Sequence, residues 1–526
     1  MNSETLLARY NKAKVNADQF YSLYQKAYEL CAPNRNNYDT SVAGDKSPNV
    51  YDSTGSLACN SFVNTFMNTV TPVHSRWVEL KAGIKFAEKV VKELGIEGAT
   101  QDDIDDIEFK ANEALMKITT SLFSYLNGSN LYSELASFYY DAAIGTGAML
   151  ITRGDQRRGL GSPIQFRTIN PYYLAIEEGA YGEICGVYRK INSKVRDAIV
   201  EWPDINGLDY TDEDECLDFI ECTVFNNDTY KWEYYIINNT RIVVKRIYDT
   251  NPWVIFRYSV ISGETWGRGP VLNALPDLLL LNAAEELSLR AALTSAYGVY
   301  TYIADDVINP NTAVIIPGGM IPVKRNAGPS GPSIQPLPGI GNVNHQLIIK
   351  SDLQNKIRKF FLDESLPSTN DPRMTATEVL ERVRKIQRDF GAVFGRISYE
   401  LLQPLIQRTL SILVDGGFIN LPPEFDTVTP DILKLQIVSP VAKMQSLQDV
   451  EALMQTIQML GSINPELIAT QVKLDDLGSW LADKLGAPNK FFKSQAEMEE
   501  EALMMQQAQV QQEQMQMMQA QMAEEE

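Results

Sequence analysis

The stretch PDLLLLNAAEELSLRAALTSA, residues 276–296, decides how the rest of the chain is read. Its 21 residues span about 32 Å as a helix at 1.5 Å per residue. Leucine and alanine occupy most faces, where a surface helix would keep one apolar stripe. A helix of this kind needs neighbours all round. Two environments supply them: the core of a globular domain, or copies of the same helix in a ring. It is too short of uninterrupted apolar residues to cross a membrane, because Asp277 and Glu285-Glu286 bound its longest apolar run.

The pattern returns to helix at Trp266-Gly-Arg-Gly-Pro270, just before this stretch. On its far side, residues 305–342 are dense in proline and glycine (Asn309-Pro310, Pro317-Gly-Gly319, Gly328-Pro329, Gly331-Pro332, Pro338-Gly339) and carry the basic pair Lys324-Arg325. Such punctuation makes an irregular module of short strands and turns. A second helix is expected over Asn344–Leu362, then a break at Leu366–Pro372. Thr375-Ala-Thr-Glu378 has capping-box spacing and opens a long helix towards Val414. Pro404 predicts a kink in it, and Gly416-Gly417 its end. Between Lys350 and Arg396 stand ten Lys/Arg against seven Asp/Glu, a local basic excess in a chain of net charge −20. Ordinary i, i+4 pairs on a solvated helix face are one account of it.

The first 80 residues read as helical. Leu57, Ala58, Ser61, Phe62, Thr65, Phe66, Thr69 and Val70 follow a helical period, with Asp52 or Ser53 to cap it and Pro72 to stop it. Another helix is expected over Asp102–Leu126. Its Asp-Asp-Ile-Asp-Asp opening suits the positive end of a helix dipole better than a divalent metal. From 145 to 265 the pieces Ala148–Thr152, Ile164–Thr168, Glu183–Ile191, Phe219–Phe225, Lys231–Ile237 and Arg241–Ile247 read as strands. Gly145-Thr-Gly147 lacks the third glycine and the following helix of a dinucleotide fingerprint. Asp209–Glu215 lacks the glycine and terminal glutamate of a calcium loop and reads as solvated. Residues 495–526, a Gln/Met/Glu/Ala tract holding seven of the sixteen methionines, read as disorder or one long helix.

Composition sets the outer bounds. The chain has 526 residues, 44% hydrophobic and 22% charged, enough to bury ordinary cores. The excess of acid argues against a free-standing nucleic-acid binder or a protein held on an anionic membrane. Only His74 and His345 are present, which argues against histidine triads and histidine-rich metal sites. Cys31, Cys59, Cys185, Cys216 and Cys222 form no Cys-x-x-Cys pair and are expected as reduced, mostly buried thiols. Met1–Tyr10 shows no basic stretch followed by an apolar one, so no leader is expected, and the chain is expected to work in solution. No Gly-x-x-x-x-Gly-Lys-Ser/Thr loop occurs, so the chain is not itself an ATP-driven motor.

Several separated strings resemble the head-to-tail connector, or portal, proteins of short-tailed bacteriophages. They are Tyr28-Glu-Leu-x-x-Pro33-x-Arg35, Tyr51-Asp-Ser-Thr-Gly55, and Val70-Thr-Pro72 leading to Arg76-Trp-Val-Glu-Leu80. Further on come Ser262-Gly-Glu-x-Trp-Gly-Arg-Gly-Pro270, Ala274-Leu-Pro-Asp277, Met374-Thr-Ala-Thr-Glu-Val-Leu-Glu-Arg382 and Glu400-Leu-Leu-x-Pro-Leu405. Their order and spacing over residues 28–408 carry the resemblance. The tail and residues 200–250 match in general character alone.

The resemblance implies a mixed α+β, mainly helical portal fold with wing, stem, clip and crown, assembled as a cyclic ring of twelve. It implies boundaries of 1–265 for the wing, 266–296 and 343–363 for the two stem helices, and 297–342 for the clip. A tunnel loop at 364–374, a kinked wing helix and return at 375–439, and a crown at 440–526 complete the set. Leu278, Leu281 and Leu289 would pack the stem, and Lys324 and Arg325 would face the motor and tail. Lys356, Arg358, Lys359 and Arg373 would touch DNA near the tunnel loop, or else make inter-subunit ion pairs. The implied partners are double-stranded viral DNA, the terminase, the major capsid protein and scaffold, a tail adaptor and internal core proteins. No membrane, cofactor, metal or catalytic residue is implied, and the place is the capsid vertex of the virion, assembled in host cytoplasm. Twelve copies would carry roughly −240 of charge, and an acidic wall lets phosphates slide past without tight counterion-releasing contacts. Two rival readings are a metal-dependent carboxylate nuclease or hydrolase built on Asp102–Asp106, and another oligomeric virion adaptor.

Overall fold

The computed structural model describes residues 1–36, 38, 50–73, 75–83, 86, 90, 101–154, 161–297, 300–302, 334–336, 343–362, 391, 393–421, 433–437, 450, 453–459 and 481. It is a mixed helix-and-sheet protein in two units. One comprises Met1–Ser22, Phe62–Gly269 and Ser365–Glu526, the other Leu23–Ser61 and Pro270–Glu364.

The first unit is built around two antiparallel sheets. The larger has the order β4-β5-β6-β7-β8, from Leu174–Glu178, Ile184–Lys194, Cys216–Asn226, Lys231–Asn238 and Arg241–Tyr248. Alternation along these strands gives each face its own core. Leu6, Tyr10 and Ala13 of helix α1 (Ser3–Cys31) pack with Tyr188, Tyr235 and Ile237 on one face. Ala198 and Trp202, from and just after the short helix Val195–Glu201, pack with Phe219, Tyr234, Ile236 and Val243 on the other. Into that second core the sheet also sets a charge pair, Arg189 Nε to Glu221 Oε2 at 2.6 Å, almost wholly shielded from solvent. Tyr234 donates its hydroxyl to Glu221 at 2.7 Å and accepts from the Trp202 indole at 3.0 Å. A buried charge demands such partners.

The smaller sheet, β3-β2-β9, joins Ile164–Thr168, Thr146–Arg153 and Trp253–Arg257. The helix Leu131–Ile144 lies against it, fixed where Asn130 exchanges two hydrogen bonds with the Phe166 backbone. Gly269 closes the unit: a Cβ there would come within 2.1 Å of the Ala143 carbonyl. A further strand pair joins β1 (Val78–Ala82) to β12 (Leu433–Ile437), backed by the helix Gln101–Asn127 through Trp77 against Phe123.

The six strands expected between 145 and 265 are all present: Ile164–Thr168 has the expected bounds, the strand expected at Glu183–Ile191 runs over Ile184–Lys194, and the other four are longer by one to four residues. The expectation that the first 80 residues are helical needs correction at its end, where Val78–Leu80 is strand. Thr54–Val70 is helical as its period suggested, and Asp52 accepts from the Thr54 amide at 2.8 Å. The Asp102–Asp106 run sits in the first turns of its helix; those aspartate side chains lie outside the described residues, as do 305–333 and the Gln/Met tract. Cys31, Cys59 and Cys222 are buried free thiols, Cys185 is half-buried and Cys216 exposed.

The long helix ending near Val414 is distorted differently from expectation. Residues 397–402 form a π-turn, and a regular helix follows over Gln403–Asp415. Pro404 has no N–H to return to the carbonyl of Glu400, so the ladder is loosened one turn before the proline. Glu400 makes use of the widened turn. It accepts from the Arg257 guanidinium and backbone amide at 2.8 and 2.9 Å and from Arg396 at 2.8 Å. Gly417, at φ +71°, terminates the helix as expected.

Candidate functional site

The second unit presents an antiparallel pair of helices, Pro270–Tyr297 (α6) and Val343–Phe360 (α7). The expected 276–296 stretch begins one turn and a half late, because Pro276 is tolerated inside the helix at the loss of one backbone hydrogen bond. Lys350 reaches Glu285 at 2.8 Å, while Lys356, further along α7, senses Asp277, earlier along α6. The helices therefore run in opposite directions. Leu353, Ile357 and Phe361 supply the buried side of α7; Leu278 and Leu281 do so for α6.

The string at residues 51–55 locks onto this pair. Its Gly55 leaves no room for a side chain: a Cβ would lie 2.7 Å from Leu278 and 3.3 Å from the Cys31 sulfur. The Tyr51 amide donates to Asn282 at 2.8 Å. Asp52 divides its carboxylate, one oxygen capping Thr54 and the other accepting from Gln354 at 2.9 Å, with Lys350 at 3.8 Å. Burial pushes the Asp52 carboxyl up, but the Thr54 and Gln354 hydrogen bonds and the Lys350 charge outweigh it. The net effect holds it below the usual carboxylate range. Asp52, Glu285, Lys350 and Gln354 thus tie three chain segments into one polar knot. Sequence reading found Asp52 as a cap and Lys350 as part of a basic excess; nothing in the sequence joined the two, 298 positions apart.

The other side of α6 has no such cover among the described residues. Leu279, Leu280, Leu287, Leu289 and Leu293 are between 41 and 63% exposed. So the expected packing residues divide, with Leu278 and Leu281 buried within the chain and Leu289 outward at 46%. On α7 the basic candidates are all exposed. Lys356 pairs with Asp352 at 2.9 Å, which raises its pKa, and Arg358 and Lys359 occupy the last turn, where cations complement the helix dipole. Arg373, Lys324 and Arg325 lie outside the described residues. No helix among the described residues is long and apolar enough to cross a membrane.

The helix pair is joined through a Pro/Gly-rich connection, and one of its helices keeps five leucines exposed. The sequence profile described as bacteriophage head to tail connecting protein matches residues 3–492. The chain belongs to that family. Two phage relatives of this connector-family chain are named as portal proteins. The "Probable portal protein" of Bordetella phage BPP-1 is 28% identical over 238 residues, 44% of this chain and 41% of that protein. The "Portal protein" of Salmonella phage epsilon15 is 21% identical over 495 residues, 88% of this chain and 83% of that one. The first alignment spans less than half of its relative's length. Among solved structures, a chain in the neck of an empty gene transfer agent particle superposes with a TM-score of 0.33 at 12% identity, covering 83% of this connector and 90% of that chain.

Proposed function

We propose that this connector is a portal subunit, which closes with copies of itself into a ring of twelve at one capsid vertex and passes double-stranded DNA during packaging and ejection. The observation that carries the reading is the divided α6 helix. Leu278 and Leu281 are buried by their own chain, while five other leucines along the helix, Leu279, Leu280, Leu287, Leu289 and Leu293, stand in solvent. A monomer gains nothing by exposing such a face, whereas a heterologous contact repeated round a closed ring buries it in every copy.

In this reading residues 1–265 are the wing, 266–296 and 343–363 the stem, 297–342 the clip and 364–374 the tunnel loop. Residues 375–439 form the kinked wing helix and its return, and 440–526 the crown. The clip, with Lys324 and Arg325, docks the terminase and later the tail adaptor; the capsid protein, scaffold and internal core proteins meet the outer parts. Lys356, Arg358, Lys359 and Arg373 give DNA brief contacts on an otherwise acidic path. The work is structural: guiding and sealing DNA, with no bond made or broken by this chain.

The test is packaging into particles assembled with and without the chain. Particles lacking it should stay empty of DNA, and the wild-type chain should restore filling. Reversal of Arg358 and Lys359 to glutamate should lower DNA retained per particle while ring formation is kept. Full packaging without the chain would refute the reading.

A further inference from the structure

The first unit holds a cleft of about 1200 Å³ that the helix pair does not use. That volume exceeds the roughly 300–1000 Å³ usual for a small-molecule site. Its walls come from the hairpin at Gly179–Glu183, the β6–β7 turn, the start of β9 and the π-turn. Three tyrosines on it, Tyr181, Tyr230 and Tyr399, are 96, 79 and 65% exposed. Tyr230 is also held at φ +54°, a left-handed backbone that bulky side chains rarely adopt, so the turn keeps an aromatic ring outward where glycine or asparagine would fit with less strain.

The charges on the walls are one-sided. Glu183, Asp228, Glu233, Asp249 and Glu400 line the cleft, against Arg9, Arg257 and the Met1 ammonium. Arg9 is paired with Glu177 at 2.9 Å, Arg257 with Glu400 at 2.8 Å and Glu178 at 3.1 Å, and Asp249 with Lys231 at 2.8 Å, so the excess of acid rests on Glu183, Asp228 and Glu233. Burial pushes the Glu233 carboxyl up, but hydrogen bonds from Tyr235 and Asn226 and the nearby Met1 ammonium outweigh it and hold it below the usual range. Negative walls exclude phosphates and acidic chains. Exposed tyrosine faces beside carboxylates are what a guanidinium stacks on and pairs with.

We propose that this cleft docks an extended, arginine-bearing segment of a partner protein. Tyrosine stacking and carboxylate pairing supply recognition, as at other interfaces rich in tyrosine and arginine. The proposal does not depend on the ring.

The test is fluorescence anisotropy on the full-length chain with a short labelled peptide carrying arginine at alternate positions, and with its lysine and glutamate counterparts. The arginine peptide should bind, weakening as salt rises; the lysine peptide should bind less, and the glutamate peptide not at all. The double variant Tyr181→Ser with Tyr230→Asn removes two exposed rings and relieves the backbone at 230, so it should fold as well as the wild type and bind about tenfold more weakly. Asp228→Arg alone should weaken binding by a similar factor. As a control, Asp209→Arg with Asp212→Arg changes charge on the exposed acidic loop and should leave binding unchanged. Equal binding by the cleft variants, or equal loss in the control, would reduce the effect to diffuse attraction and overturn the proposal. Loss of self-association in the cleft variants, with no peptide bound by the wild type, would assign the cleft to a second copy and overturn it too.

Discussion

The five-stranded sheet and helix α6 handle apolar residues in opposite ways. Along β6 and β7 the two faces alternate, and each finds its cover inside the chain: α1 over Tyr188 and Tyr235, Trp202 over Phe219 and Tyr234. Even the charge placed there, Glu221, is paired with Arg189 and accepts from Tyr234. Along α6 the chain covers Leu278 and Leu281 and leaves Leu280, Leu287 and Leu289 outside. The sheet covers its own apolar faces and the helix does not. On the proposed reading, the difference separates residues that fold the subunit from residues that assemble it.

The largest effect should come from breaking the finished region. Glu221→Ala strands Arg189 in a dry core, and removing one member of a buried pair costs about 3–5 kcal/mol. Urea unfolding of the full chain followed by tryptophan fluorescence should show it as a lowered midpoint; an unchanged midpoint would mean that the pair is not buried in solution.

The knot at Asp52 should matter less, and in a pH-dependent way. Its folded-state pKa is depressed, so the stabilisation is present above the unfolded value near 4 and fades as pH falls through the folded value. Asp52→Asn keeps a capping oxygen and loses the charge beside Lys350 and Gln354, so it should cost about 1 kcal/mol at pH 7 and almost nothing at the acid end. Thermal unfolding of wild type and variant between pH 3 and 7 gives the comparison. Parallel curves would remove the carboxylate from the account.

How far the sequence announces these features depends on whether they are local. β-Branched and aromatic residues between Gly, Asn and Pro punctuation pick out β2, β3 and β5–β8, and the Leu57–Val70 spacing gives the helix Thr54–Val70, because each signal lies within one element. Trp253–Arg257 is not singled out, and Val78–Ala82 is strand because a segment more than 350 residues later pairs with it. The helix Leu131–Ile144 is apolar on too many sides to advertise a face. In the site, Gly55 and Asp52 stood out as part of a string, but their partners Leu278, Gln354 and Lys350 were chosen by the tertiary fold. The basic excess divides on the same principle: Lys350 and Arg396 are internal ties, whereas Arg358 and Lys359 are left outward.

Lys356 sharpens the contrast from the weak end. Its pair with Asp352 is an exposed i, i+4 contact, and Lys356→Ala should leave the thermal unfolding midpoint unchanged. If the same variant measurably lowers DNA retention in filled particles, the side chain serves the channel and not the fold.

The central claim, that the outward leucines of α6 are an interface between copies, is met most directly by native mass measurement with negative-stain imaging of the wild type and of Leu280→Asp/Leu287→Asp. The account predicts annular wild-type particles near twelve times 59.0 kDa, with a central hole. It predicts a variant that unfolds like the wild-type subunit yet stays a single chain. A variant that closes into the same rings, or a wild type that forms a solid dimer without a hole, would contradict it.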